Sequence, residues 1–139
     1  MTEDLFKINK RFLMRYTLIM NKVDRLERKL ARLYDRKIAI QAGEITGMPK
    51  GGKNITLEDL LVQAESTNER INNHMSKARE IREEIEDVID NLPNSFQSTV
   101  LDMYFIERKS LYEIAQELTY SYRYVNKAYA DGVKACKIK

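Results

Sequence analysis

The chain has 139 residues, 43% hydrophobic and 32% charged, with a net charge of +3, five glycines, two prolines and one cysteine. It is too apolar for a disordered chain and too charged for one large globular core, and the scarcity of Gly and Pro points to long helices with much exposed surface. No apolar run approaches the ~20 residues a membrane span needs, the acidic start Glu3-Asp4 carries no signal core, and a lone Cys136 cannot form an internal disulfide; a cytoplasmic protein with no membrane partner is expected.

The first predicted element runs from about Glu3 to Gln41. One row of apolar residues repeats every seven positions (Leu5, Phe12, Ile19, Leu26, Leu33, Ile40), and a second contains Tyr16, Val23 and Leu30, with Asn9 and Lys37 at its ends. This is a heptad seam on one long helix. The segment is basic: residues 1–50 hold 12 Lys/Arg against 6 Asp/Glu. A loop follows over residues 42–56, with four of the five glycines and one proline. Its Met48-Pro49-Lys50-Gly51-Gly52-Lys53 stretch offers amides and two lysines to a phosphate, but lacks the Gly-Lys-Ser/Thr ending of a phosphate-cradling loop.

Thr56 then caps a second long helix, with Glu58 and Asp59 in its first turn. Spacings of four and three run through Leu57, Leu61, Ala64, Asn68, Ile71, Met75, Ala78, Arg82, Ile85, Ile89 and Leu92, until Pro93 ends the helix. Residues 57–92 hold 4 Lys/Arg against 10 Asp/Glu. Two oppositely charged heptad helices joined by a loop fold back most simply as an antiparallel hairpin. Each exposed ion pair contributes only about 0.2–1 kcal/mol, so the seam stabilises and the charges select the partner. Two alternatives stay open: pairing of these helices with a second copy as a homodimer, and a nucleic-acid arm in which Lys7, Lys10, Arg11 and Arg15 meet phosphate.

After Pro93 the pattern shortens. Asn94 or Ser95 caps a helix whose Phe96, Val100, Leu101, Tyr104 and Phe105 face a core, and Glu107-Arg108-Lys109 breaks it. Ser110-Leu111-Tyr112-Glu113 is a capping box. It opens a helix with Leu111, Ile114, Ala115 and Leu118 inward. Thr119-Tyr120 forms a turn, and Ser121 caps a last helix with Val125, Ala128, Gly132 and Cys136 on one face. The opposite face carries Tyr122, Arg123, Asn126, Lys127 and Lys134. A short helix, a tight turn and a capped basic helix suit major-groove reading of double-stranded DNA. Arg and Lys offer donors to guanine, Asn matches the adenine edge, and tyrosine hydroxyls suit phosphate. The candidate DNA-contacting residues are Arg108, Lys109, Ser121, Tyr122, Arg123, Tyr124, Asn126, Lys127 and Lys134.

Residues Leu111, Glu113, Ile114, Ala115, Leu118, Ser121 and Val125 match a pattern that resembles region 4 of bacterial sigma factors. Thr119 stands where that family usually has Gly, at a turn that often needs positive φ. Residues 43–138, with the Gly47-Met48-Pro49-Lys50-Gly51-Gly52 loop, a charged helix, Leu92-Pro93 and a Tyr120-Ser121-Tyr122-Arg123-Tyr124-Val125 turn, resemble small phage and prophage regulators of the ArpU/RinA type from Gram-positive bacteria. That resemblance implies activation of late packaging, structural or lysis genes in the host cytoplasm, through a −35-like element or through contact with RNA polymerase.

The expected fold is therefore all-α: a coiled-coil hairpin over residues 1–92, then a three-helix, helix-turn-helix domain over residues 93–139. The expected function is sequence-specific DNA-binding transcription regulation, not catalysis. His74 has no companion ligands at metal spacing, no nucleophile–base set presents itself, and no cofactor or metal is implied. Small terminase subunits, which also join a helix-turn-helix to helical oligomerisation segments, are the alternative; there the DNA-binding part commonly comes first, whereas here it is last. A third reading is a coiled-coil adaptor that docks on polymerase or another protein.

Overall fold

The structure is a computed structural model and describes residues 4–43 and 56–138. Among these residues the chain is all-helical, with no strand. The elements are α1 (Leu5–Leu13), α2 (Arg15–Gln41), α3 (Leu57–Asp90), α4 (Ser95–Leu101), α5 (Leu111–Leu118) and α6 (Tyr122–Ala135), and a π-helical turn over Asp102–Ile106 continues α4. The Gly47 to Gly52 loop lies outside the described residues. No helix among the described residues is long and apolar enough to cross a membrane.

The single helix expected before the loop is interrupted at Met14, where ψ relaxes to −10°. The hydrogen-bond ladder still passes through: Met14 N–H donates to the Lys10 carbonyl at 2.8 Å and Leu18 N–H to that of Met14 at 3.0 Å. The first seam row is corrected by the packing. Leu5 is 53% exposed, whereas Leu13, which belongs to neither predicted row, is fully buried. Asn9, the polar residue at the end of the second row, is buried as well.

On α3 the inward face is rotated slightly from its expected course. Leu60, Thr67 and Ile81 are buried where Leu61, Asn68 and Arg82 were expected. The corrected path, Leu60, Ala64, Thr67, Ile71, Met75, Ala78, Ile81, Ile85, keeps a three–four spacing and exchanges Asn68 and Arg82 for Thr67 and Ile81. Thr67 tolerates burial because its hydroxyl donates to the Gln63 carbonyl at 2.8 Å. Arg82 turns outward and pairs with Glu86 one turn on, at 2.6 Å.

The described chain packs as two compact units, Met20–Ser76 and Met1–Ile19 with Lys77–Lys139. In the former, Leu33, Leu60 and Ala64 form a small core with Leu30 and Ile40 against it. The end of α2 thus packs on the start of α3, and the chain folds back on itself as the heptads predict.

The other unit holds the larger core. Leu13, Ile85, Val100, Leu101, Phe105, Ile114, Val125 and Val133 are all fully buried. Each such side chain contributes roughly 1.5–3 kcal/mol of hydrophobic stabilisation. The Arg15 guanidinium reaches Glu84 at 2.7 Å and ties α2 to α3 within this unit. Gly132 sets the approach of α6 to α4: a Cβ there would stand 3.2 Å from the Gln97 Cβ and 3.3 Å from the Leu101 side chain. A bulky residue at 132 would push the two helices apart.

Candidate nucleic-acid interface

The site is built on α5, a three-residue turn and α6. The capping box predicted at Ser110 is formed: Glu113 N–H donates to the Ser110 hydroxyl oxygen at 3.1 Å, and Ser110 N–H donates to the Glu113 carboxylate at 3.2 Å. This fixes where α5 starts. Its end is closed by Thr119 in the left-handed region, φ 58° and ψ 40°. Thr119 N–H then reaches the Gln116 carbonyl at 3.3 Å, and Tyr120 N–H reaches that of Ala115 at 3.1 Å. This paired closure normally calls for glycine. Threonine adopts it here at a steric cost, as the Gly-to-Thr departure at this turn suggested.

Ser121 caps α6, its hydroxyl accepting from Tyr124 N–H at 3.1 Å. Val125, Ala128, Tyr129, Gly132 and Val133 then face the core. With those anchored, Tyr122, Arg123, Asn126, Lys127 and Lys134 are all exposed. Arg123, Lys127 and Lys134 lie opposite the core face, while Tyr122 and Asn126, seven residues before buried Tyr129 and Val133, flank it near the start of the helix. This corrects the single opposite face expected. The first four of the five occupy the first turns of α6, where unpaired N–H groups and the helix dipole favour an anion.

The remaining sequence candidates divide. Arg108 is exposed and adopts a left-handed backbone, φ 59°, in the connection before α5. The Lys109 ammonium sits between Glu117 at 2.7 Å and Glu107 at 2.9 Å. Hydrogen bonds to Glu117 and then Glu107 push it up to about 12. Lys109 is thus engaged within the protein, and Ser121 acts as a helix cap.

An aromatic cluster beside the turn was not foreseen as a unit. Tyr120 and Tyr124 stack with ring centroids 5.1 Å apart, and Phe96 of α4 lies 4.9 and 5.0 Å from them. Both tyrosines remain about half exposed. The alternating Tyr120-Ser121-Tyr122-Arg123-Tyr124 run was the available signal; Phe96 had been assigned to the core. On the other side of α6, Tyr122 approaches Tyr112 at 6.5 Å across a groove of about 530 Å³ that Arg108 and Tyr104 also line.

Burial excludes Cys136 from nucleophilic work. It is 5% exposed, its thiol donates to the Gly132 carbonyl at 3.3 Å, and desolvation pushes it up to about 11. Desolvation also raises the Tyr129 hydroxyl, reinforced by the neighbouring Tyr104. Among the described residues no cluster of His, Cys, Asp or Glu could hold a metal ion.

One protein family, described as "Protein of unknown function (DUF1492)", matches residues 40–132. That span takes in α3 to α5 and most of α6. No curated protein and no solved structure matches the chain.

Proposed function

We propose that this chain, which belongs to the DUF1492 family, is a sequence-specific double-stranded-DNA-binding regulator of transcription. The observation that carries this reading is the first two turns of α6. Tyr122, Arg123, Asn126 and Lys127 stand exposed there, on a helix capped by Ser121 and anchored by buried Val125.

An α-helix is about 10–12 Å across, the width of the B-DNA major groove. With α6 in the groove, Arg123 and Lys127 donate to guanine O6 and N7, and Asn126 pairs with the adenine edge. Tyr122 and Tyr124 give hydroxyls to flanking phosphates, and Arg108 and Lys134 add charge beside them. Lys109 has no part in this face because its charge is held by Glu107 and Glu117. In keeping with the ArpU/RinA-type resemblance, we assign it late phage genes as targets and activation as the effect, through a −35-like element or through contact with RNA polymerase.

The test is direct. Duplexes selected from a random pool by the wild-type chain are titrated with the double variant Arg123→Ala, Lys127→Ala. A loss of about 2–6 kcal/mol is expected for two base contacts, together with relaxed sequence preference. Unchanged specific affinity in a folded variant sinks the reading.

A further inference from the structure

Within the Met20–Ser76 unit, five cations of α2 stand on one face: Lys22, Arg25, Lys29, Arg32 and Arg36, spaced three, four, three and four residues apart. Four are exposed and Lys29 is half-buried. Among the described residues none of the five pairs with a carboxylate. The charge pattern of the sequence set the basic flanks of the first helix against the acidic flanks of the second, and among the described residues no ion pair with these five cations accompanies that pairing.

A solvated basic face needs no such order. Successive cations three or four residues apart repel one another and destabilise the helix that carries them. The carboxylates of this stretch, Asp24, Glu27 and Asp35, fall off the stripe. The apolar face of α2 is already occupied by the protein itself, with Val23, Leu26 and Leu33 buried. A helix that lies on a lipid surface needs that apolar face free. What remains is a straight row of charge about 21 Å long, at 1.5 Å per residue. One strand of B-DNA presents about six phosphates over that length.

We infer that this stripe of α2 is a second DNA-contacting surface, which binds the phosphate backbone irrespective of sequence. The inference rests on the reading of the chain as a DNA-binding protein, but concerns a unit that does not contain α6. It assigns the two surfaces different work, with α6 reading bases and the α2 stripe supplying salt-sensitive, sequence-independent affinity.

The experiment uses the full chain and a random-sequence duplex, with affinity measured over a series of salt concentrations. Replacing Lys22, Arg25, Lys29, Arg32 and Arg36 together by Gln keeps helix propensity nearly unchanged. The slope of log affinity against log salt should become shallower by about 3–4, since each lost phosphate contact removes up to about 0.9. A second variant, Arg25→Lys, Arg32→Lys, Arg36→Lys, retains the charge and should retain the slope, and circular dichroism checks that both stay helical. A helical Gln variant with the wild-type slope overturns the inference while leaving α6 as the reader. A stripe that binds anionic phosphatidylserine vesicles but leaves the DNA slope untouched also overturns it. Wild-type chain with no affinity for any duplex overturns both this inference and the function it rests on.

Discussion

The carboxamide of Asn9 closes the C-terminal end of α6, donating to the Cys136 carbonyl at 2.9 Å and also to that of Val133 at 2.8 Å. The last carbonyls of a helix have no partner inside it, and here a buried side chain from α1 supplies one. An apolar residue at position 9 would complete the heptad row but leave the Cys136 carbonyl without this donor and the Val133 carbonyl with only the Cys136 N–H at 3.3 Å. Asn9→Leu should therefore cost about 2–4 kcal/mol in denaturant unfolding. A variant as stable as the wild type would show that the capping bonds contribute nothing.

Thr119 stores strain that one substitution removes. A β-branched residue at φ 58° costs on the order of 1–2 kcal/mol relative to glycine. Glycine in turn loses more chain entropy on folding. Thr119→Gly should give a net gain of about 0.5–1 kcal/mol, read as a rise in melting temperature of about 1–4 °C for a domain of this size. Thr119→Ala keeps the clash and should show little of the gain.

Asp102 should make stability fall as pH rises. Burial raises its pKa above the ordinary 3.8, aided by the negative charges of Glu107, Glu86 and Asp90 and opposed by Arg82. The folded state therefore holds this proton more tightly than the unfolded chain. The penalty is absent below pH 3.8, and it develops as pH climbs through the raised folded value. Asp102→Asn should be more stable than wild type at neutral pH, and the difference should close in acid. A difference independent of pH would mean that the charge is not what matters.

Cys136 should resist thiol reagents. With its thiol raised to about 11 and its side chain buried, native protein at neutral pH should react with a disulfide reagent orders of magnitude more slowly than unfolded protein. Reaction at equal rates would place the thiol at the surface.

Much of this architecture was legible from periodicity and caps. The heptads marked α2 and α3, Pro93 marked the end of α3, and Ser110 and Ser121 marked the starts of α5 and α6, because these features act over one or two helical turns. The reading failed where distant packing decides. Asn9 looked like a flaw in an apolar row, since its partners lie more than 120 residues away. The α3 face was misplaced by one residue at Leu61, Asn68 and Arg82, because neighbouring positions fit a three–four repeat almost equally well. Lys109 counted as a free cation until the fold brought Glu107 and Glu117 to it. The exposed residues of α6 followed from its pattern, whereas the Phe96–Tyr120–Tyr124 cluster needed α4 beside the turn.

The capping of α6 by Asn9 also fixes an order of events during synthesis. The bond to Cys136 joins residues 127 positions apart, so its amide emerges from the ribosome long before the carbonyl it will meet. Closing so long a loop is entropically slow. The Met20–Ser76 unit, whose contacts lie within one continuous stretch of chain, can form first. The end of α6 must then wait for α1 to find it, so α6 is secured only after the Met20–Ser76 unit.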